Sequence, residues 1–271
     1  CRLEPYVYVK RWTTMGDRNQ VSAGTVLGTD PLDKAFTGQR SYLRIGATHW
    51  FDGEVNPTFG AVTSGDFLGG RILAGLNVQD RYRAKLKRSD RYADPSLDEL
   101  LSFEDQEEVK DGRDYSANLS WTADVGETGR FGIDGFYVKT DRDITEVSRE
   151  VEYDDGDVIE ADVPGFSPVE QVNWGIGAEY RFDMAGGTTS FDLDHARFED
   201  SSAESEEEYK YVNGEWDEAE GESQSVDAID KETGFTLAHK RPLGGAELEL
   251  GVDWRSKKRD ITYTNFEWEA D

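Results

Sequence analysis

The sequence predicts an all-β chain laid out as an antiparallel up-and-down meander. Three observations carry this. Apolar and polar side chains alternate over long windows, glycine-bearing turns join the windows in pairs, and long acidic stretches separate the pairs. Helical periodicity is nearly absent; only "PSLDELLSFEDQEEV" (95–109) suggests a short helix.

The elements follow in chain order. Short β-patterned runs occupy 6–12, 20–27 and 42–51. In "RILAGLNVQDRYRAK", Ile72, Ala74, Leu76 and Val78 alternate with Arg71, Gly75, Asn77 and Gln79. In "DYSANLSWTADV", Tyr115, Ala117, Leu119, Trp121, Ala123 and Val125 face one way, and Ser116, Asn118, Ser120, Thr122 and Asp124 the other. In "QVNWGIGAEYRFD" the apolar set is Val172, Trp174, Ile176, Ala178, Tyr180 and Phe182. In "AELELGVDWRSKKRDITY" it is Ala246, Leu248, Leu250, Val252 and Trp254, against Glu247, Glu249 and Asp253. Period two sustained this long is strand. Weaker runs at 131–139, 190–198 and 233–240 complete the hairpins.

The connections sort by length. "VGETGR" (125–130), "MAGGTT" (184–189) and "PLGGAE" (242–247) are tight turns, whereas 90–113, 146–168 and 200–230 are long polar stretches read as loops. A soluble sandwich has no reason to alternate short and long connections. A transmembrane barrel does, with short periplasmic turns and long extracellular loops. Strand length agrees. The 18 residues from 246 to 263 extend over about 60 Å, while crossing a bilayer takes about 9–11 tilted residues. The apolar side would meet lipid, the acidic side a wet lumen, and the excess would project into water.

Composition sets limits on the alternatives. The chain has 271 residues, 57 acidic against 30 basic, and a net charge of −27, with mean hydropathy −0.72. No window is apolar enough for a spanning helix. Twelve per cent aromatics argue for a folded chain rather than an acidic disordered one. One cysteine excludes a disulfide framework and a cysteine-based zinc site. The opening "CRLEPYVYVK" has no signal-peptide pattern, so the chain reads as a processed product or a fragment, with Cys1 a point of truncation rather than a lipoprotein anchor.

Site chemistry is sparse. The 200–230 stretch holds twelve acidic residues and one basic, Lys210; the 146–162 stretch holds eight and one, Arg149. Such runs serve as a cation-attracting mouth or a divalent-bridged contact with lipopolysaccharide, but are more commonly solvated loops. "YDDGDVIEAD" lacks the spacing of a calcium loop. His49, His195 and His239 have no paired metal-ligand spacing, and no nucleophile elbow, phosphate loop or dinucleotide motif occurs. We therefore expect no enzyme, no catalytic or metal residues and no cofactor; the ligand-binding residues stay unknown. Arg81, Arg83, Lys85, Lys87 and Arg88 form a basic cluster that either lines a lumen or pairs with acidic neighbours on adjacent strands. The net charge argues against nucleic acid. Trp121, Tyr137, Trp174, Tyr180 and Trp254 suit an interfacial aromatic girdle, or equally a sandwich core.

The stretches "DYSANLSWTADVGETGRFGIDGFYVKTDRDITEVSREVEYDD" and "KETGFTLAHKRPLGGAELELGVDWRSKKRDITYTNFE" resemble barrel hairpins of the TonB-dependent outer-membrane receptors. The resemblance runs over 70–266. It implies one partial barrel domain (1–271) in the outer membrane of a Gram-negative bacterium. It also implies, as partners, outer-membrane lipid and lipopolysaccharide, an extracellular small ligand (iron chelate, cobalamin or carbohydrate), and TonB acting through a plug. No TonB box, plug sequence or aromatic-terminated last strand is recognisable, and nine or ten strands are counted against about 22 in large transporters. The chain thus reads as an internal slice of a receptor barrel. A small outer-membrane porin or adhesin-like barrel, and a soluble acidic carbohydrate-binding module, are the alternatives.

Overall fold

The structure is a computed structural model that describes residues 39–50, 52–93, 99–154 and 156–270. The candidate strands at 6–12 and 20–27, and Cys1, lie outside them. Nine strands run in chain order: β1 (Arg40–His49), β2 (Val55–Phe67), β3 (Gly70–Tyr92), β4 (Leu100–Val125), β5 (Gly129–Asp154), β6 (Asp157–Met184), β7 (Gly187–Val212), β8 (Glu215–Leu243) and β9 (Ala246–Ala270). Each pairs antiparallel with the next in one sheet of order β1 to β9. No helix occurs among the described residues. The meander read from the sequence is the observed fold, with the described part of the helical candidate at 95–109 folded as strand β4.

The turns follow from backbone sterics. Leu68-Gly69, Ala185-Gly186 and Asn213-Gly214 are two-residue reversals with both φ angles positive. This is the geometry whose twist matches right-handed strands. Glycine adopts it freely; Leu68 (φ 48°) and Ala185 (φ 52°) adopt it at a cost.

The described residues of the polar stretches at 90–113, 146–168 and 200–230 are not irregular loops, apart from the Asn213-Gly214 turn. They continue the strands, which reach 26–29 residues in β4 to β8, or about 85–95 Å. Thus β3 ends at Tyr92 and β4 begins at Leu100, β5 ends at Asp154 and β6 begins at Asp157, and β7 passes into β8 through Asn213-Gly214. Cross-strand charges replace apolar alternation there: Arg83 with Glu108 (2.5 Å), Lys87 with Glu104 (2.9 Å), Arg149 with Glu160 (3.3 Å) and Lys210 with Glu218 (2.8 Å). Opposite charges facing each other across strands stabilise a register as apolar pairs do, so the ladder continues without a hydrophobic pattern. At the far end the β7–β8 turn is tied to the β5–β6 turn. Asn213 donates from its backbone N to the Val158 carbonyl (2.8 Å), and its side chain accepts from Val158 N (3.0 Å) and donates to Asp157 (2.7 Å).

The described residues form a single layer. Val151, Ala161 and Ala219 are the buried hydrophobic residues among those described, and no large side chain is fully enclosed. β1 and β9 are not paired with each other, so the sheet is open.

Candidate functional site

The register carries one continuous band of apolar side chains across the sheet. Trp121 faces Ile133, which faces Ala178, then Leu193, Phe235 and Trp254 on successive strands. One row nearer the tight turns, Ala123, Phe131, Tyr180, Phe191, Leu237 and Val252 line up the same way. On the first strands the band continues through Ile45, Phe59 and Val78, and through Leu43, Ala61 and Leu76. We call this side the apolar face. Rings pack along it: Trp121 on Phe131 (6.2 Å between centroids), Phe191 on Phe235 (5.1 Å) and Tyr180 on Phe182 (5.1 Å). All five candidate girdle residues lie on this face. Nothing described covers it: Ile176 is 58% exposed and Leu250 62%. Among the described residues no second layer packs on these aromatics.

The opposite, polar face carries a charge lattice. Asp114 accepts from Arg81 (2.7 Å) and from Arg142 (3.0 and 3.1 Å). Glu108 takes Arg83 and, at 3.3 Å, Lys110. Burial opposes ionisation of Glu108, but the hydrogen bonds from Arg83 and Lys110 outweigh it and hold the carboxyl below its ordinary value. Lys87, with Ser148, does the same for Glu104. On β8 and β9, Glu232 holds Arg255 and Lys257 (2.9 Å each), and Asp230 holds Arg259 through two 2.6 Å bonds. Of the two roles open to the basic cluster, pairing with acidic neighbours is observed: Arg81, Arg83 and Lys87 pair with carboxylates on β4. Arg88 points to the other face, where it meets Asp105 (2.9 Å), Asp90 (3.0 Å) and the Phe103 ring (4.4 Å).

The acidic runs meet on the polar face. Glu108, Glu146, Gly165, Glu206, Glu222 and Glu267 occupy one ladder row across β4 to β9. Partial desolvation, then the carboxylates of Glu222 and Glu146, raise Glu206 above its ordinary value. Desolvation, then Glu220 and Glu150, raise Glu208 likewise. Sequence reading located this charge but not its alignment, which depends on register.

Two of the histidines bond to threonines on the neighbouring strand. His195 Nδ1 lies 2.8 Å from Thr233 Oγ1 and its ring 5.4 Å from Trp174; His239 Nδ1 lies 2.9 Å from Thr189 Oγ1. Among the described residues no three His, Cys, Asp or Glu side chains gather as metal ligands. Depressions on the apolar face are shallow, such as one of about 430 Å³ lined by Val125, Phe131, Ala178, Tyr180 and Phe191.

No family model matches the chain, and no curated protein matches it. Among solved structures it is similar to the FrpB iron transporter from Neisseria meningitidis (F3-3 variant), at 9% identity and a TM-score of 0.15. That match covers 84% of this chain and 62% of the other, so the chain spans less than two thirds of that structure's length. A likeness this distant adds nothing to what the geometry supports.

Proposed function

We propose that the chain forms wall strands of an outer-membrane β-barrel of the TonB-dependent receptor type, which takes up a scarce extracellular ligand such as an iron chelate, cobalamin or a carbohydrate. One observation carries the membrane part: a continuous apolar band on one face, at one end of every long strand, with none of the described residues over it. On β9 the band runs from Ala246 to Trp254, about 30 Å along the strand. Tilted by about 40°, it stands about 23 Å high, matching the lipid-facing belt of outer-membrane barrels at about 25 Å. The polar face then lines a wet interior, where its ion-paired side chains stay hydrated. In hydrocarbon an open sheet edge leaves backbone groups unsatisfied, so β1 and β9 meet further strands in the complete barrel. The strand extensions stand outside the membrane as an acidic collar.

In this reading the chain makes and breaks no bonds; it holds a passage that a plug closes and TonB opens. Flotation of the full-length protein with neutral phosphatidylcholine vesicles tests the membrane part: the protein rises with the vesicles and resists salt extraction. A chain left in the aqueous phase overturns it. Conductance of the full-length protein in planar bilayers tests the receptor part. A plugged receptor shows no steady current, and a permanently open channel contradicts it in favour of a porin.

A further inference from the structure

The β7–β8 reversal holds an Asn-Gly pair: of the seven asparagines in the chain, Asn213 alone precedes a glycine. Asparagine is among the chemically labile side chains, and a following glycine presents a backbone nitrogen that no Cβ shields. Gly214 has φ 81°, and a Cβ built on it would meet no atom within 4 Å. Among the described residues no group accepts from its N–H. The two reacting groups of a deamidation thus stand side by side on an exposed tip. The fold also ties the amide down. Asn213 extends the β6–β7 ladder one position past the Ile159–Val212 pair. Its backbone N donates to the Val158 carbonyl (2.8 Å) and its Oδ1 accepts from Val158 N (3.0 Å). Its Nδ2 donates to Asp157 (2.7 Å). Ring closure has to swing Cγ away from β6 and onto Gly214 N, which breaks both side-chain bonds. The bond to Asp157 is the stronger of the two, because its acceptor is charged.

We infer that Asn213 is a deamidation site whose conversion unfastens the β7–β8 turn from the β5–β6 turn, in one direction only. The inference holds whether or not the apolar face meets a membrane. Gly214 N attacks Asn213 Cγ. A new N–Cγ bond forms, the Cγ–Nδ2 bond breaks, and the side-chain nitrogen leaves as ammonia with the proton given up by Gly214 N. Water then opens the five-membered imide at either carbonyl, leaving an aspartate linked through its α- or its β-carboxyl. Nothing is oxidised or reduced, and water is the one co-reactant. Either product puts a carboxylate where Nδ2 donated to Asp157, so an attraction at 2.7 Å becomes a repulsion between like charges. The β-linked product also adds a methylene to the main chain of a two-residue reversal, whose geometry sets the register on both sides. Released ammonia does not return to the carboxyl in water, so the turn does not refasten.

The test ages the full-length protein at mildly alkaline pH and reads a gain of one mass unit in its tryptic peptide 211–231, against the same peptide released first and aged alone. We expect Asn213 to convert ahead of the other asparagines, and more slowly in the protein than in the peptide. Asp157→Ala should speed conversion about tenfold, the weight of one hydrogen bond to a charged group. Asp157→Asn, which keeps an acceptor oxygen, should retain most of the protection. Hydrogen exchange at the Val158 and Asn213 amides reads the fastening itself: protected in the wild type, lost at position 213 and at Val158 in Asn213→Asp. Unchanged protection along β3 and β4 shows that each variant folds; should Asp157→Ala lose it, the protein-against-peptide comparison decides instead. An amide still intact in both the wild type and Asp157→Ala, after the peptide has converted, overturns the site. Equal rates in wild type and Asp157→Ala, or in protein and peptide, overturn the hold of β6 on the amide. Val158 protection that survives in Asn213→Asp, or in the converted protein, overturns the release.

Discussion

Ala185 and Leu68 hold left-handed backbone in turns where glycine or asparagine would sit without strain. Ala185→Gly should therefore stabilise the β6–β7 hairpin by about 1 kcal/mol, read from the denaturant midpoint. The reverse case is Gly187, the first residue of β7. A Cβ there would lie 2.2 Å from the Lys240 carbonyl oxygen, a backbone atom that cannot swing aside. Gly187→Ala should destabilise by more than Ala185→Gly gains. Among polar residues, Asp114 joins β3 to β5 through Arg81 and Arg142. Asp114→Asn should cost about 1 kcal/mol, less at high salt, because the pairs are partly solvated. The "MAGGTT" turn was legible in the sequence. That alanine rather than glycine takes its first position was not, because composition shows a glycine pair without saying which residues the reversal uses.

The long hairpins divide into two chemistries. Near the tight turns, alternation alone specifies every strand, because one face is apolar and a one-residue slip would invert it. Beyond the band, acidic runs such as "ESEEEYKYVNGEWDEAEGE" carry no such pattern and read as loops. Their ladders depend on partners far along the chain, Lys87 with Glu104 and Arg149 with Glu160, which a local window does not see. The helical pattern at 95–109 gives way for the same reason: from Leu100 the segment pairs along β3 and β5. The two kinds of extension should respond oppositely to pH. Glu206 and Glu208 have raised values in the fold, so their contribution is full below the ordinary carboxylate value and is lost as pH rises through the raised one. Glu104 has a lowered value, so its contribution is present above the ordinary value and is lost as pH falls through the lowered one. Mild acidification should thus strengthen amide protection in β7 and β8, and stronger acid should weaken it in β3 and β4. Hydrogen exchange corrected for intrinsic rates reads both. Glu208→Gln should remove part of the first effect and stabilise β7–β8 at neutral pH.

Over the whole molecule, the account depends on what touches the apolar face. A sheet with one greasy side and no covering layer among the described residues leaves Leu119, Ile176, Leu250 and Trp254 exposed. Water is an unfavourable neighbour for a band this wide, and hydrocarbon is a favourable one. The face itself was readable from period-two alternation; its continuity over nine strands was not, since that requires the register of every hairpin. The most direct test places single nitroxide labels along 247–255 of β9, with Cys1 replaced, in the full-length protein reconstituted into phosphatidylcholine vesicles. Collision with oxygen, which concentrates in lipid, is compared with collision with a water-soluble nickel chelate. The account predicts a period of two: Leu248, Leu250, Val252 and Trp254 positions favour oxygen, and Glu249, Gly251, Asp253 and Arg255 positions favour the chelate. Uniform access to the chelate at both sets, or shielding of the first set from both reagents, would contradict it.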